Sequence, residues 1–219
     1  MAIIKYICFD IGNVANIPDT VSFLGHLSAK WPNLSLEQLL NIKSGGGVWR
    51  QFQNGQINSD QFLASCLNNF GLTESQENKD YLRQGFLIWC GTAYAPILQL
   101  ASRLKQRSFK TSVLSNNNEI MYCHSSAAIK GIVDVALSSH EIGVSKPDPR
   151  AYEILLERIQ AIPGEVLMID DQKHNITSAL ALGMEAFFFN AKEKPREDLM
   201  KDLVNRLNNY GVYIDNSDN

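Results

Sequence analysis

Polar residues of one chemical kind stand at or just beyond the ends of the apolar runs in this chain. Asp10 follows Tyr6-Ile7-Cys8-Phe9, Ser115 and Asn116 follow residues 111–114, Lys146 lies in GVSKPDP, and Asp170 and Asp171 follow residues 166–169. Carboxylates, a hydroxyl and an amine that meet at one point suit a phosphate ester and a magnesium ion. Carboxylates and a main-chain carbonyl hold such a hard cation, which takes oxygen ligands and keeps waters. The cation and Lys146 offset charge on phosphoryl oxygens while one carboxylate attacks in line. The Ser115 hydroxyl, with N–H groups at the start of the next helix, completes a phosphate cradle. Taken singly, each residue has an ordinary reading: a turn residue or helix cap for Asp10, a polar loop for Ser115 and the asparagines after it, a solvated lysine for Lys146, an acidic turn for Asp170 and Asp171. Their order, and a shared position at one sheet edge, makes them a set.

That shared position depends on the elements that carry them. Five runs have strand length: 5–9, 111–114, 133–137, 166–169 and 186–189. Their continuous hydrophobicity predicts burial on both faces, as in a parallel sheet. Helical patterns alternate with the last four. Pro96 suits a first helical turn ahead of the stripe Ile97, Leu100, Ala101, Leu104; Asp148 and Pro149 suit N-cap and N1 ahead of Tyr152, Leu155, Leu156 and Ile159. The alternation predicts an α/β fold, a Rossmann-like doubly wound parallel sheet whose ligands bind beyond the carboxyl ends of the strands.

Roughly a hundred residues separate the first two runs, far more than one crossover needs. This segment reads as helices: Ser35 with Gln38 and Thr73 with Gln76 match the capping box, and the stripe Phe62, Leu63, Cys66, Leu67, Phe70 stops at Gly71. The expected organisation is an α/β core, residues 1–14 and 93–219, carrying an inserted helical lobe, residues 15–92. The SGGG run at 44–47 is too short to link independent domains.

With 219 residues, 45% of them hydrophobic, and a net charge of −3, the chain can bury a core unaided by disulfides. Its Lys and Arg are scattered and outnumbered by acids, so neither nucleic acid nor an anionic membrane is an expected partner. Cys8, Cys66, Cys90 and Cys123 form no CxxC pair, and three lie among apolar neighbours, which fits a reducing cytoplasm. The first apolar run is short and broken by Asp10, so neither a signal peptide nor a spanning helix is expected there.

The ordered motifs FDIGNV, VLSNNN, GVSKPDPRAY and MIDDQKHNITSALALG resemble those of the haloacid dehalogenase (HAD) superfamily, over most of the chain. The helical lobe is similar to the small cap of its phosphatase subgroup. Within the lobe, VWRQFQNGQINSDQF resembles a cap pattern of the sugar-phosphatase-like and epoxide-hydrolase N-terminal branch, although buried aromatics in a helix-turn-helix would look the same. The resemblance implies that Asp10 attacks phosphorus to form an aspartyl-phosphate and that Ser115, Asn116 and Lys146 bind the transferring group. It implies Mg²⁺ held by Asp10, the Gly12 carbonyl and Asp171, with Asp170 and Asn175 ordering the metal loop behind them. His174, beside them on a polar loop, reads as solvated.

Gly12 departs from the family's phosphatase pattern, which usually places a second Asp there to protonate the leaving oxygen. That help is typically worth roughly a hundredfold to ten-thousandfold. Other branches also lack this acid, the dehalogenases among them. The expected activity is Mg²⁺-dependent hydrolysis of a small phosphomonoester, sugar-like or nucleotide-like. A 2-haloacid dehalogenase and a pseudo-phosphatase that binds a ligand or protein partner without turnover are the alternatives. Natural substrate, oligomeric state and pathway leave no mark in the sequence.

Overall fold

The apolar run that ends at Asp10 becomes β1 (Tyr6–Phe9), the central strand of a five-stranded sheet. The structure is a computed structural model and describes residues 3–35, 37, 38, 42 and 47–213; of the SGGG run only Gly47 falls among them. Parallel ladders join β1 to β4 (Lys110–Ser115) on one side and β6 (Val166–Asp170) on the other, and β5 (Val135–Ser138) and β7 (Glu185–Phe188) form the edges. The order β5-β4-β1-β6-β7 means that the chain winds outward to one edge and then returns across β1. A crevice therefore opens above the carboxyl ends of β1, β4 and β6, where such sheets take ligands.

Burial follows strand position. Ile7, Cys8, Phe9, Val113, Leu114 and residues 166–169 are buried, whereas all of β7 is only partly covered, as an edge strand is. β5 begins at Val135, two residues later than its sequence pattern suggests. The reason is local: the Asp134 carboxylate accepts the Thr111 N–H at 2.9 Å. Helices α5 (Ala95–Gln106) and α8 (Pro149–Ile159) bury the expected stripes, the first through Ile97, Leu100, Ala101 and Leu104 and the second through Tyr152 and Leu155, with Leu156 and Ile159 partly covered.

Between β1 and β4 lie helices α1 (Thr20–Lys30), α2 (Val48–Gln53), α3 (Ser59–Asn69) and α4 (Gln76–Trp89), which close around their own aromatic core. Ser35 and Gln38 exchange the two capping-box bonds, at 2.9 and 3.1 Å. Thr73 and Gln76 do not. Helix α4 is capped instead by Ser75, whose hydroxyl accepts the Asn78 N–H, while the Asn78 amide donates to the Thr73 carbonyl. The box at Asn58 and Gln61, which heads α3, went unread because Asn opens it in place of Ser or Thr. The four cysteines are free, three buried and Cys123 exposed. Among the described residues no helix is long and apolar enough to cross a membrane.

The two ends of this helical segment are clasped by a short antiparallel ribbon, β2 (Asn16–Ile17) with β3 (Thr92–Ala93), too brief to show as periodicity. Gly91 precedes β3 at φ +67°, and a Cβ there would lie 1.8 Å from the Ile17 carbonyl oxygen. Gly131, at φ +79°, has open space in the same direction. Gly131→Ala should therefore cost only the left-handed backbone, about 1–2 kcal/mol, while Gly91→Ala should cost at least about 2 kcal/mol more because the ribbon must also part. Urea unfolding of both variants measures this, and equal losses would show that the ribbon gives way freely.

Candidate active site

Most of the proposed site residues reach the crevice because a strand ends beneath them. Asp10 continues the β1 ladder by donating its N–H to the Ile169 carbonyl (2.9 Å), and Ser115 closes β4 fully paired with Ser138. Asp170 is the last residue of β6, and Asp171 the next. Lys146 comes from the loop beyond α7 (Ser139–Ile142), and its reach is fixed by Asn116. The Asn116 amide accepts the Lys146 N–H at 2.8 Å and donates to the Lys146 carbonyl at 2.6 Å, closing a two-point clamp on the backbone of that residue.

The result is a buried charge cluster. Lys146 Nζ lies 3.0 Å from Asp10 Oδ1 and 2.6 Å from Asp170 Oδ2, and its side chain has no exposed surface. Asn175 Nδ2 donates to both Asp170 oxygens at 3.0 and 3.1 Å, and the Gln172 N–H adds a third donor at 2.8 Å. Asn175 is held from behind by Tyr152, whose hydroxyl donates to its carbonyl. Asp171, only half-buried, accepts from Gln172 Nε2 at 2.6 Å and Asn13 Nδ2 at 3.0 Å. His174 is exposed, as expected, but it stands in the first turn of α9 (Lys173–Ala181) and not on a loop.

One oxygen from each of Asp10, Asp170 and Asp171 lies within 4.8 Å of the others. Three carboxylates thus face one ammonium. Burial pushes Asp10 up to about 7, with Asp170 and Asp171 adding to the rise against the pull of Lys146; Asp171 is also raised, by burial and then by Asp170. Burial works against the Lys146 charge, but the two carboxylates more than offset it and hold its pKa above the ordinary lysine range. This excess of negative charge on hard oxygen donors fits a divalent cation such as Mg²⁺.

Above the cluster lies a cavity of about 110 Å³ lined by Gly12, Asn13, Ser115 and Asn116 from the sheet side and by Trp49 and Gln53 from the helical segment. Gln53 joins the two sides, donating to the Asn116 carbonyl (3.2 Å) and accepting from Ser139 Oγ (2.6 Å). In the aromatic pattern around it, Phe52 and Phe62 stack with centroids 4.2 Å apart and serve the core, whereas Trp49 serves both core and cavity. Gly12 has φ −61° and ψ 125°, a conformation open to any residue, and a Cβ there would stand 3.7 Å from Asp10 Oδ2, an ordinary contact. Among the described residues lining the cavity none is a carboxylate or an imidazole, and the thiol of Cys90 is pushed by burial up to about 11.

Sequence reasoning missed several residues around the site. Asn117 donates to Ser125, and Asn118 caps α6 (Glu119–Ile129) through the Met121 N–H, so the asparagine run has a separate task for each member. Asn13 holds a left-handed backbone, φ 58°, which Asn tolerates better than most residues; that tolerance is the one signal that could have found it.

A model of haloacid dehalogenase-like hydrolases matches residues 4–183. Over 146 residues, 65% of this chain and 66% of the relative, the sequence is 35% identical to a phosphatase of Mycobacterium tuberculosis. It is 31% identical over 62% of the chain to an (S)-2-haloacid dehalogenase of a Pseudomonas species, spanning 60% of that protein. The chain thus spans less than two thirds of the length of these curated relatives. A HAD family enzyme from Bacteroides thetaiotaomicron superposes with a TM-score of 0.74 at 20% identity, covering 89% of this chain and 97% of the other, and its wild-type form has been solved in complex with magnesium and inorganic phosphate. Its parallel sheet, its ordered strand-end motifs and its match over most of its length place this chain among the haloacid dehalogenase-like hydrolases.

Proposed function

We propose that the chain is a Mg²⁺-dependent phosphatase of a small phosphorylated metabolite, working through an aspartyl-phosphate on Asp10. The observation that carries this reading is the meeting of Asp10, Asp170, Asp171 and a fully buried Lys146 beside Ser115. In this reading residues 1–14 and 93–219 are the catalytic core, and residues 15–92 are a cap that encloses the substrate through Trp49 and Gln53. A reducing cytoplasm suits its free, buried thiols.

Asp10, Asp171 and the Gly12 carbonyl would hold the metal, which when bound supplies countercharge to the phosphoryl oxygens. The residues of the chain do the rest. Lys146 anchors Asp10 Oδ1 and opposes the rise that burial imposes on its pKa, leaving Oδ2 to attack phosphorus. As the O–P bond to Asp10 forms, the bond to the leaving oxygen breaks and its electron pair departs with it. The Ser115 hydroxyl and the Asn116 N–H receive the equatorial oxygens, the Asn116 side chain being committed to Lys146. Water then attacks phosphorus and frees Asp10. A second reading, ligand binding without turnover, is favoured by the lack of an acid–base group among the described cavity residues.

Asp10→Asn should abolish phosphate release with the circular dichroism of the parent; release at the parent rate refutes the nucleophile. The two adjacent acids should fail differently. Asp170→Ala leaves a buried ammonium half-paired and should destabilise the protein by about 3–5 kcal/mol, whereas Asp171→Ala should chiefly weaken Mg²⁺ binding. Urea unfolding and calorimetric titration of both variants separate the roles, and interchangeable losses would contradict them.

Without an acid at position 12 the leaving oxygen departs as an anion, so aryl and acyl phosphates should react much faster than alkyl phosphates of similar size. The backbone and space at Gly12 admit a side chain. Gly12→Asp should therefore speed alkyl phosphates selectively, by roughly tenfold to a thousandfold. The ratio of kcat/KM for an aryl and an alkyl phosphate in parent and variant tests this; a flat dependence in the parent would show that another group donates the proton.

A further inference from the structure

Arg196 opens α10 (Arg196–Asn209), far from every site motif in sequence, and its position there is not that of a cap. A cation in the first turn opposes the helix dipole, and the side chain does not turn out to solvent. Its guanidinium lies over two aromatic rings, 5.0 Å from the centroid of Tyr94 and 5.9 Å from that of Phe189. Both rings are fastened to the site's own framework: the Phe189 N–H donates to the Asp170 carbonyl, and the Tyr94 N–H to the Ala15 carbonyl, each at 2.9 Å.

From this seat Arg196 Nη1 donates to the Asn13 carbonyl at 2.9 Å. Asn13 has the left-handed backbone of the β1 loop, and its amide in turn donates to Asp171 Oδ2 at 3.0 Å. The path Arg196–Asn13–Asp171 therefore fixes one carboxylate of the acidic cluster from outside the recognisable motifs. Arg suits this task because one planar group can stack on two rings while pointing an N–H along the ring plane, which an ammonium cannot do.

We propose that Arg196 is a positioning residue for the metal-binding carboxylate Asp171, acting through Asn13. The inference rests on the Mg²⁺-dependent reading of the site. If the path sets the orientation of Asp171, losing it should weaken metal binding on the scale that outer-sphere partners usually command, about tenfold to a hundredfold.

The test is calorimetric titration with Mg²⁺ of the parent, Arg196→Met, Arg196→Lys, Asn13→Gly and the Arg196→Met/Asn13→Gly double variant, with thermal unfolding in chelator measured alongside. Arg196→Met should bind Mg²⁺ at least about tenfold more weakly, and Arg196→Lys should recover part of the loss by donating to the Asn13 carbonyl. Asn13→Gly keeps the left-handed backbone and should lose a similar factor. The double variant should lose no more than the worse single one, since both cut the same path. A merely structural Arg196 would lower stability in chelator while the folded variant bound Mg²⁺ like the parent, and that result overturns the proposal. Should Arg196→Met fail to fold, Arg196→Lys and Asn13→Gly decide it: unchanged affinity in both refutes the path. A parent that binds no Mg²⁺ refutes the underlying reading instead.

Discussion

Lys146 Nζ has no exposed surface and stands between Asp10 at 3.0 Å and Asp170 at 2.6 Å, and the arrangement of this molecule follows from what that burial demands. Removing an ammonium from water costs several kcal/mol, and neighbouring carboxylates repay it only when their geometry is fixed. Fixing them requires β1 and β6 to be adjacent and in register, which the ladder from Tyr6 and Val166 to Phe9 and Ile169 provides. It also requires Lys146 to be delivered from a loop on the far side of β4, which the Asn116 clamp provides. The charge balance that results is deliberately incomplete. Among the described residues one ammonium answers two of three carboxylates, so the site retains a demand for further positive charge.

Gly12 acquires a plainer meaning in this setting. Its backbone is in a common region and its neighbourhood has room, so the glycine is not required by conformation. What it removes is a functional group beside Asp10 Oδ2. The neighbouring Asn13 is the residue that bears the conformational load, and it serves as the bridge between Arg196 and Asp171. Two adjacent residues in one loop thus divide their tasks: one leaves chemistry out, the other holds geometry in.

Much of this was legible along the chain because the relevant physics is local. An apolar run ending in Asp10 or Asp170 marks a buried strand with a polar tip, and Asp148-Pro149 marks a helix start, whatever the rest of the molecule does. The residues that escaped notice owe their roles to distance. Arg196 reaches a residue 183 positions away, and Gln53 meets Asn116 only after the helical segment folds back over the sheet. Short-range rules also misled where two candidates competed, as when Ser75, two residues nearer the helix, capped α4 in place of Thr73. The β2–β3 ribbon could not be read at all, since two residues cannot show a period.

The central claim is that Asp10 is the nucleophile and carries the phosphoryl group between steps. Acid-quenched turnover of an aryl phosphate with Mg²⁺, followed by peptide mass spectrometry, tests it directly. The account predicts the added mass of one phosphoryl group on the peptide that contains Asp10, mapped to that residue and missing from the Asp10→Asn variant. Phosphate released while the label sits on another residue, or a 2-haloacid losing halide as its C2 becomes esterified to the Asp10 carboxylate where no phosphoryl group is ever found, would contradict it.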